Sequence, residues 1–338
     1  GDLGMEIPSE KVALAQKMMI TKCNIAGKFV ICATQMLESM CENPLPTRGE
    51  MTDVANAVFD GADATMLSGE TANGAFPDKA VATMAAIVRN AEEGLEGDTT
   101  WSNVWNNTPK PVTPLEAVAS SAVKACLDME AIAMVCFCDS LLPATLLSKY
   151  RPPVPVVVVT TDKAIAAQCD VIYGLVPMLV DEKVSHACAV GGCSDDIVQS
   201  VLQTIRALGI AKLEAGDDES DQVVVLERPG DPDSIMIHSD PGVGSAIFKT
   251  LVIGDEKASL VKPTAYDGHH TISFNTTKIG LENVIKPSET VRKTKIVCTM
   301  GPKCWDEETM GKLIDEGMSI ARFNFSHGDH AAHQEVLD

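Results

Sequence analysis

The sequence predicts an α/β fold of parallel strands, arranged in two units. Two observations carry this. Short, uniformly apolar runs rich in β-branched residues, such as 29–33 and 154–160, alternate with longer stretches of helical periodicity. The connections between them are a few residues long, as in βα units. Runs without polar alternation belong to strands buried on both faces of a sheet. A third observation divides the chain: residues 94–113 are polar, with Gly94, Gly97 and Pro109 as breakers, and read as a linker.

Taken in order, residues 9–27 read as an amphipathic helix, with Val12, Ala15, Met18 and Met19 on one face and Gly27 as its stop. Residues 29–33 form the next strand. Thr34 and Gln35 are the first polar residues after it, and Leu37–Met40 starts a helix. A hydroxyl there stands at the carboxyl edge of a sheet, beside turn N–H groups that are free to meet an anion. An ordinary βα corner with a threonine cap is the plainer reading. Pro44 and Pro46 stiffen the following loop, and Thr47 caps a helix through Val54, Ala57 and Val58 that ends at Asp60-Gly61. Residues 62–67 are a strand with Ser68-Gly69-Glu70 at its carboxyl end, and 78–93 a helix. Beyond the linker, helices at 115–127, 143–150, 163–169 and 195–208 alternate with strands at 131–137, 154–160 and 222–227. Residues 214–221 are a solvated charge run, and 254 to about 287 is loop-like.

Composition narrows the function. Lys+Arg 27 against Asp+Glu 47 gives a net charge of −20, which argues against nucleic acid and anionic membrane surfaces. No apolar run approaches the roughly 20 residues of a membrane helix. No leader peptide is expected, since the first residues already belong to a motif. Eleven cysteines without framework spacing suit a reduced, cytoplasmic compartment. His186, Cys188 and Cys193 lack the second half of a metal site, and His327, His330 and His333 at helical spacing fit a solvated helix face.

The motifs are more specific. GDLG-x-E-I-P at 1–8, AQKMMI-x-KCN-x-AGK at 15–28, VICATQMLESM at 30–40, PTR-x-E-x-x-DVANAV-x-DGAD at 46–63 and MLSGETA at 66–72 resemble the second half of the barrel of pyruvate kinase. LLSKYRPPVPVVVVTTD at 146–162 resembles that family's C-terminal domain. KTKIVCTMGP at 293–302 and MSIARFNFSHG at 318–328 resemble its first two barrel strands, although they follow the C-terminal domain here. The resemblance implies a partial (β/α)8 TIM barrel plus a separate α/β three-layer C-terminal domain. The expected division is barrel at 1–98, linker at 99–113, C-terminal domain at 114–254, linker at 255–290 and first barrel strands at 291–338. The simplest account is the junction of two tandem units, with Asp2 and Arg322 in different active sites; a circular permutation with deletion is the alternative.

The resemblance also implies a reaction: phosphoryl transfer from phosphoenolpyruvate to ADP, giving pyruvate and ATP in glycolysis, with Mg²⁺ and K⁺ as cofactors. Asp2 matches the Mg²⁺ carboxylate, and Gly1 leaves room for the substrate carboxylate. Thr34 matches the residue that binds this carboxylate and helps relay a proton to the enolate, through water because a hydroxyl is a poor acid. Arg322 matches the guanidinium that grips the phosphate. Asn324 and Ser326 match K⁺ ligands, with Asn324, His327 and Pro302 beside the nucleotide. Ser68 and Glu70 stand at the edge of the site, where a structural role fits equally well. The family's enolate-stabilising lysine and second Mg²⁺ carboxylate have no match; Thr277-Lys278-Ile279-Gly280 shares letters with that segment but lacks its glutamate. The segment alone is therefore expected to be weak or inactive, and a non-catalytic scaffold or oligomerisation partner is the alternative. A homo-oligomer is expected. The loop Cys136-Phe137-Cys138-Asp139-Ser140 lacks the hydroxyl-rich pattern of sugar-phosphate-activated members, so no such activation is expected.

Overall fold

The fold was examined in a computed structural model, which describes residues 1–180, 201–205, 207, 209, 221–227, 237, 246–253, 271–272, 277–279, 281–288, 291–327 and 330–337. The helices in chain order are α1 (Leu3–Glu6), α2 (Val12–Ala26), α3 (Arg48–Phe59), α4 (Gly69–Ala72), α5 (Pro77–Glu93), α6 (Gly97–Asn107), α7 (Pro114–Asp128), α8 (Leu141–Lys149), α9 (Lys163–Cys169), α10 (Leu281–Ile285), α11 (Glu307–Asp315) and α12 (His330–Leu337). The strands are β1 (Ile31–Cys32), β2 (Ala64–Leu67), β3 (Ala133–Phe137), β4 (Val156–Thr160), β5 (Leu175–Leu179), β6 (Asp221–Glu227), β7 (Ile247–Ile253), β8 (Thr271–Ile272), β9 (Lys278–Ile279), β10 (Lys295–Thr299) and β11 (Ile320–Arg322). They fall into two compact units. One holds residues 1–24, 29–95 and 282–338, the other residues 25–28 and 96–281.

The first unit is built on a four-stranded, all-parallel sheet in the order β1-β2-β10-β11. Helices α3 and α5 cover its outer face, burying Val54, Ala57, Val58, Val81, Met84 and Val88 against Leu67, Ile296 and Cys298. Thr47 caps α3 as expected and forms a full capping box with Glu50. This is the partial barrel that the motifs imply. Its last two strands come from the end of the chain: Ala64 to Leu67 register against Lys295 to Cys298. Asp2 and Arg322 therefore share one compact unit. Parallel pairing with the fully buried β2 brings the final segment home.

Local expectations needed correction in three places. Residues 29–33 are not buried on both faces: only Ile31–Cys32 pair, and Phe29 is 54% exposed, because β1 is an edge strand. Leu37–Met40 does not open an α-helix; Glu38–Cys41 is one 3₁₀ turn. Met18 and Met19 lie exposed on α2, which is anchored instead by Ile20.

The second unit has a five-stranded sheet, β5-β4-β3-β6-β7, parallel except for the last pair. Alternate residues feed two cores, which makes three layers. Met134, Cys136, Val156 and Val158 pack under α7, α8 and α9. Ala133, Val135, Val157 and Val159 pack against Val201, Leu202 and Ile205 of a helical stretch at 201–205. Most of the expected helix at 195–208 and the charge run at 214–221 lie outside the described residues. The stretch read as a linker contains α6, whose Trp101 and Trp105 stack at 5.8 Å beside Tyr150. Within the region read as loop, Lys278–Ile279 pair antiparallel with Thr271–Ile272, so these two residues stand in a short two-stranded ladder and not in the barrel sheet.

Candidate active site

Parallel strands place all their carboxyl ends on one edge, and the expected site residues gather there in two clusters. The first is at the end of β1. The Asp2 amide donates to the Thr34 hydroxyl oxygen at 3.0 Å. The Thr34 hydroxyl itself donates to the Ala33 carbonyl at 2.7 Å. A Cβ on Gly1 would meet only the side chain of Gln35, whose tip can move aside. Asp2 occupies the N-cap of α1, yet its carboxylate makes no capping bond and is exposed.

Thr34 and Gln35 both have positive φ, at 67° and 56°. Consecutive non-glycine residues in this left-handed region carry about 1–2 kcal/mol of backbone strain each. Their conformation turns the chain sharply after β1 and sends Leu37 back toward the sheet. There the Leu37 amide donates to Glu70 Oε1 at 3.1 Å, and Ser68 donates its amide to Oε2 at 2.6 Å. Glu70 is fully buried. Of the two residues expected at the edge of the site, Glu70 thus acts on backbone from beneath.

The second cluster is at the ends of β10 and β11. Arg322 Nη1 donates to the Thr299 hydroxyl at 2.9 Å, and the Arg322 carbonyl accepts the Met300 amide at 2.8 Å. Beyond β11, Asn324 Oδ1 accepts the Ser326 amide at 3.2 Å, and the Asn324 carbonyl accepts the His327 amide at 3.0 Å. This closes a tight turn over Asn324 to His327. Phe325 stacks on His330 at 4.8 Å and meets His333 edge-on at 4.9 Å. Nε2 of His333 lies 2.8 Å from the His327 carbonyl. The three histidines therefore hold α12 against the turn, and His333 is buried. Pro302 is exposed in the turn after β10.

The structure thus joins Gly1, Asp2 and Thr34 to one another, and Arg322 to the turn of Asn324, Ser326 and His327. The clusters stand on β1 and β11, three strand spacings apart, or roughly 14 Å along the sheet. Thr299 is the residue the sequence reading missed. Its signal was the one that marked Thr34, a hydroxyl closing an apolar strand. Its carbonyl also accepts the Thr71 hydroxyl at 2.8 Å.

Among the described residues no three or more His, Cys, Asp or Glu side chains are grouped to hold a metal ion. Asp2 presents one exposed carboxylate at this edge.

Comparison with known proteins agrees with this architecture. The profile of the pyruvate kinase barrel domain matches residues 1–81 and 291–338, and that of the pyruvate kinase alpha/beta domain matches 116–231. The cytosolic pyruvate kinase isozyme of Nicotiana tabacum is 43% identical over 250 residues, covering 70% of this chain and 48% of that protein. Pyruvate kinase of Leishmania mexicana is 48% identical over 187 residues, covering 55% of this chain and 38% of that protein. A crystal structure of a pyruvate kinase from Cryptosporidium parvum superposes with a TM-score of 0.62 at 36% identity, covering 74% of this chain and 45% of that one. The chain spans about half the length of the curated relatives it matches. With the barrel strands, the three-layer domain and the matched profiles in agreement, the chain belongs to the pyruvate kinase family of phosphotransferases.

Proposed function

We propose that this chain carries the carboxylate-binding and phosphate-binding parts of a pyruvate kinase site and serves the transfer of a phosphoryl group from phosphoenolpyruvate to ADP. The observation that carries the reading is the bond from the Asp2 amide to the Thr34 hydroxyl, beside an uncapped, exposed Asp2 carboxylate. A three-carbon phosphate brings a carboxylate and a phosphate. The planar guanidinium of Arg322 suits the second, and the turn after β1 takes the first by exchanging the bonds that the Asp2 amide and the Thr34 hydroxyl make within it. Thr34 holds its hydroxyl where a water chain can pass a proton to the enolate carbon. Asp2 is the residue that would hold Mg²⁺, which when bound neutralises developing phosphate charge. Asn324 and Ser326 would hold K⁺, with His327 and Pro302 flanking the nucleotide. The expected domain division, a cytoplasmic setting and assembly into a homo-oligomer belong to the same reading. The nine cysteines among the described residues are all unbridged, and the tobacco and potato relatives are cytosolic isozymes.

The test is titration calorimetry of the chain with phosphoenolpyruvate in Mg²⁺ and K⁺, followed by a coupled assay for pyruvate. Binding that chelation of Mg²⁺ removes and that Thr34→Ala weakens supports the reading. A folded chain that binds no phosphoenolpyruvate overturns it in favour of a scaffold.

A further inference from the structure

We propose that Glu70 is a positioning residue: its carboxylate clamps the turn that carries Thr34, and it takes no part in proton transfer. The inference rests on the functional reading above and deepens it. Glu70 is fully buried at the start of α4, yet each carboxylate oxygen accepts a backbone N–H. One comes from Leu37, in the turn after β1, the other from Ser68, in the turn after β2. A buried carboxylate is tolerated only when its oxygens are satisfied, and bonds to a charged acceptor are among the strong ones. These two bonds tie the carboxyl-end turns of neighbouring parallel strands to one side chain.

The clamp has a specific load. Thr34 and Gln35, three and two residues before Leu37, are held at positive φ. Such strain persists only where the surroundings over-determine it. Asp2 holds the turn from the front, through Thr34. Glu70 holds it from behind. Further support comes from the turn itself: the hydroxyl and amide of Ser39 donate to Glu50 of α3 at 2.5 and 2.7 Å, which fixes the 3₁₀ turn two residues beyond Leu37. Both Glu70 oxygens are engaged with N–H groups, and the Thr34 hydroxyl donates to the Ala33 carbonyl instead.

The test compares the unmodified chain with Glu70→Gln and Glu70→Asp. Glutamine keeps the size but turns an NH₂ toward an N–H donor; aspartate is too short to reach both amides. Hydrogen exchange read by mass spectrometry on peptides covering 34–41 and 66–72 is the direct measure, with 295–299 as internal control. The expected result is exchange about tenfold faster in the first two peptides and unchanged in the third. Affinity for phosphoenolpyruvate in Mg²⁺ should fall about tenfold or more in both variants, with the pH dependence of binding and turnover unaltered. Unchanged exchange overturns the clamp. Faster exchange with unaltered affinity overturns the positioning role, and loss of one limb of the pH profile assigns Glu70 to proton transfer instead. If the unmodified chain binds no phosphoenolpyruvate, the functional reading falls and exchange alone judges the clamp.

Discussion

The buried carboxylate of Glu92, in the last turn of α5, accepts the backbone amide of Lys293 and pairs with its ammonium at 3.4 Å, across 201 residues of chain. The amide of Thr294 donates to the same carboxylate. Beside it, Arg292 donates to the carbonyls of Thr294 and Gly317, linking the entry of β10 to the entry of β11. This clasp fixes the amino ends of the strands that the end of the chain adds to the sheet.

Removing one partner of a buried, hydrogen-bonded charge pair costs about 3–5 kcal/mol. Glu92→Ala should therefore destabilise the first unit by about that much in urea denaturation. A loss below about 1 kcal/mol would show that the last segment is held by strand pairing alone.

Gly301, after β10, lies against α4. A Cβ there would stand 2.5 Å from the Ala72 carbonyl oxygen and 2.8 Å from its Cα. Backbone cannot yield as a side-chain tip can. Gly301→Ala should cost about 1–3 kcal/mol, read as a lowered thermal midpoint with an otherwise unchanged circular-dichroism spectrum.

The Glu50 carboxylate sits below the usual range. Partial burial works against this, but the Ser39 hydroxyl and amide and the Thr47 amide and hydroxyl, all hydrogen-bonded to it, outweigh burial. A depressed folded value means the stabilisation is complete above the unfolded glutamate value of about 4.3 and is lost as pH falls through the folded one. Stability measured from pH 6 downward should decline more steeply in the unmodified chain than in Glu50→Gln. Parallel curves would remove Glu50 as the cause.

Thr299→Val removes the hydroxyl that receives Arg322 Nη1 while keeping the side chain's shape. Phosphoenolpyruvate affinity should drop about tenfold, the effect of an unheld guanidinium. Stability should change little. Equal affinities would place Arg322 outside the substrate site.

Asp139 Oδ1 accepts the Thr160 hydroxyl at 2.9 Å and the Thr161 amide at 2.8 Å. Donors at this strand edge already serve a carboxylate, so a sugar bisphosphate should neither bind tightly nor raise phosphoenolpyruvate affinity. Calorimetry with fructose bisphosphate checks this, and micromolar binding would refute it.

Much of the fold was legible because local rules agreed with global packing. The helix at 163–169 follows from its Asp162 cap, and α3 follows from Thr47 and Glu50. The valine run 156–159 is buried on both faces because it lies inside a five-stranded sheet. The misreadings have equally local causes. The apolar run 29–33 looks like a central strand, but among the described residues it stands at the edge of its sheet. Helix α6 is polar in composition, and its two tryptophans gain their purpose only on meeting Tyr150 and the Ser120 carbonyl, to which Trp101 Nε1 donates at 3.0 Å. Asp2, Thr34 and Arg322 were visible as chemistry-bearing groups at strand ends. Thr299 was hidden, since a hydroxyl that supports another side chain has no motif of its own.

By itself the sequence determined the kind of structure and the family: periodicity chose helix or strand, caps and glycines chose their ends, and long motifs chose the relatives. Only the tertiary structure decided that residues 291–338 join the sheet begun by β1 and β2, so that Asp2 and Arg322 stand on one edge. Apolar patterning says which residues leave water, and it is silent on which strand edge receives them. That choice fell to contacts two hundred residues apart, between Glu92 and Lys293 and between Ala64 and Lys295, which no local pattern encodes.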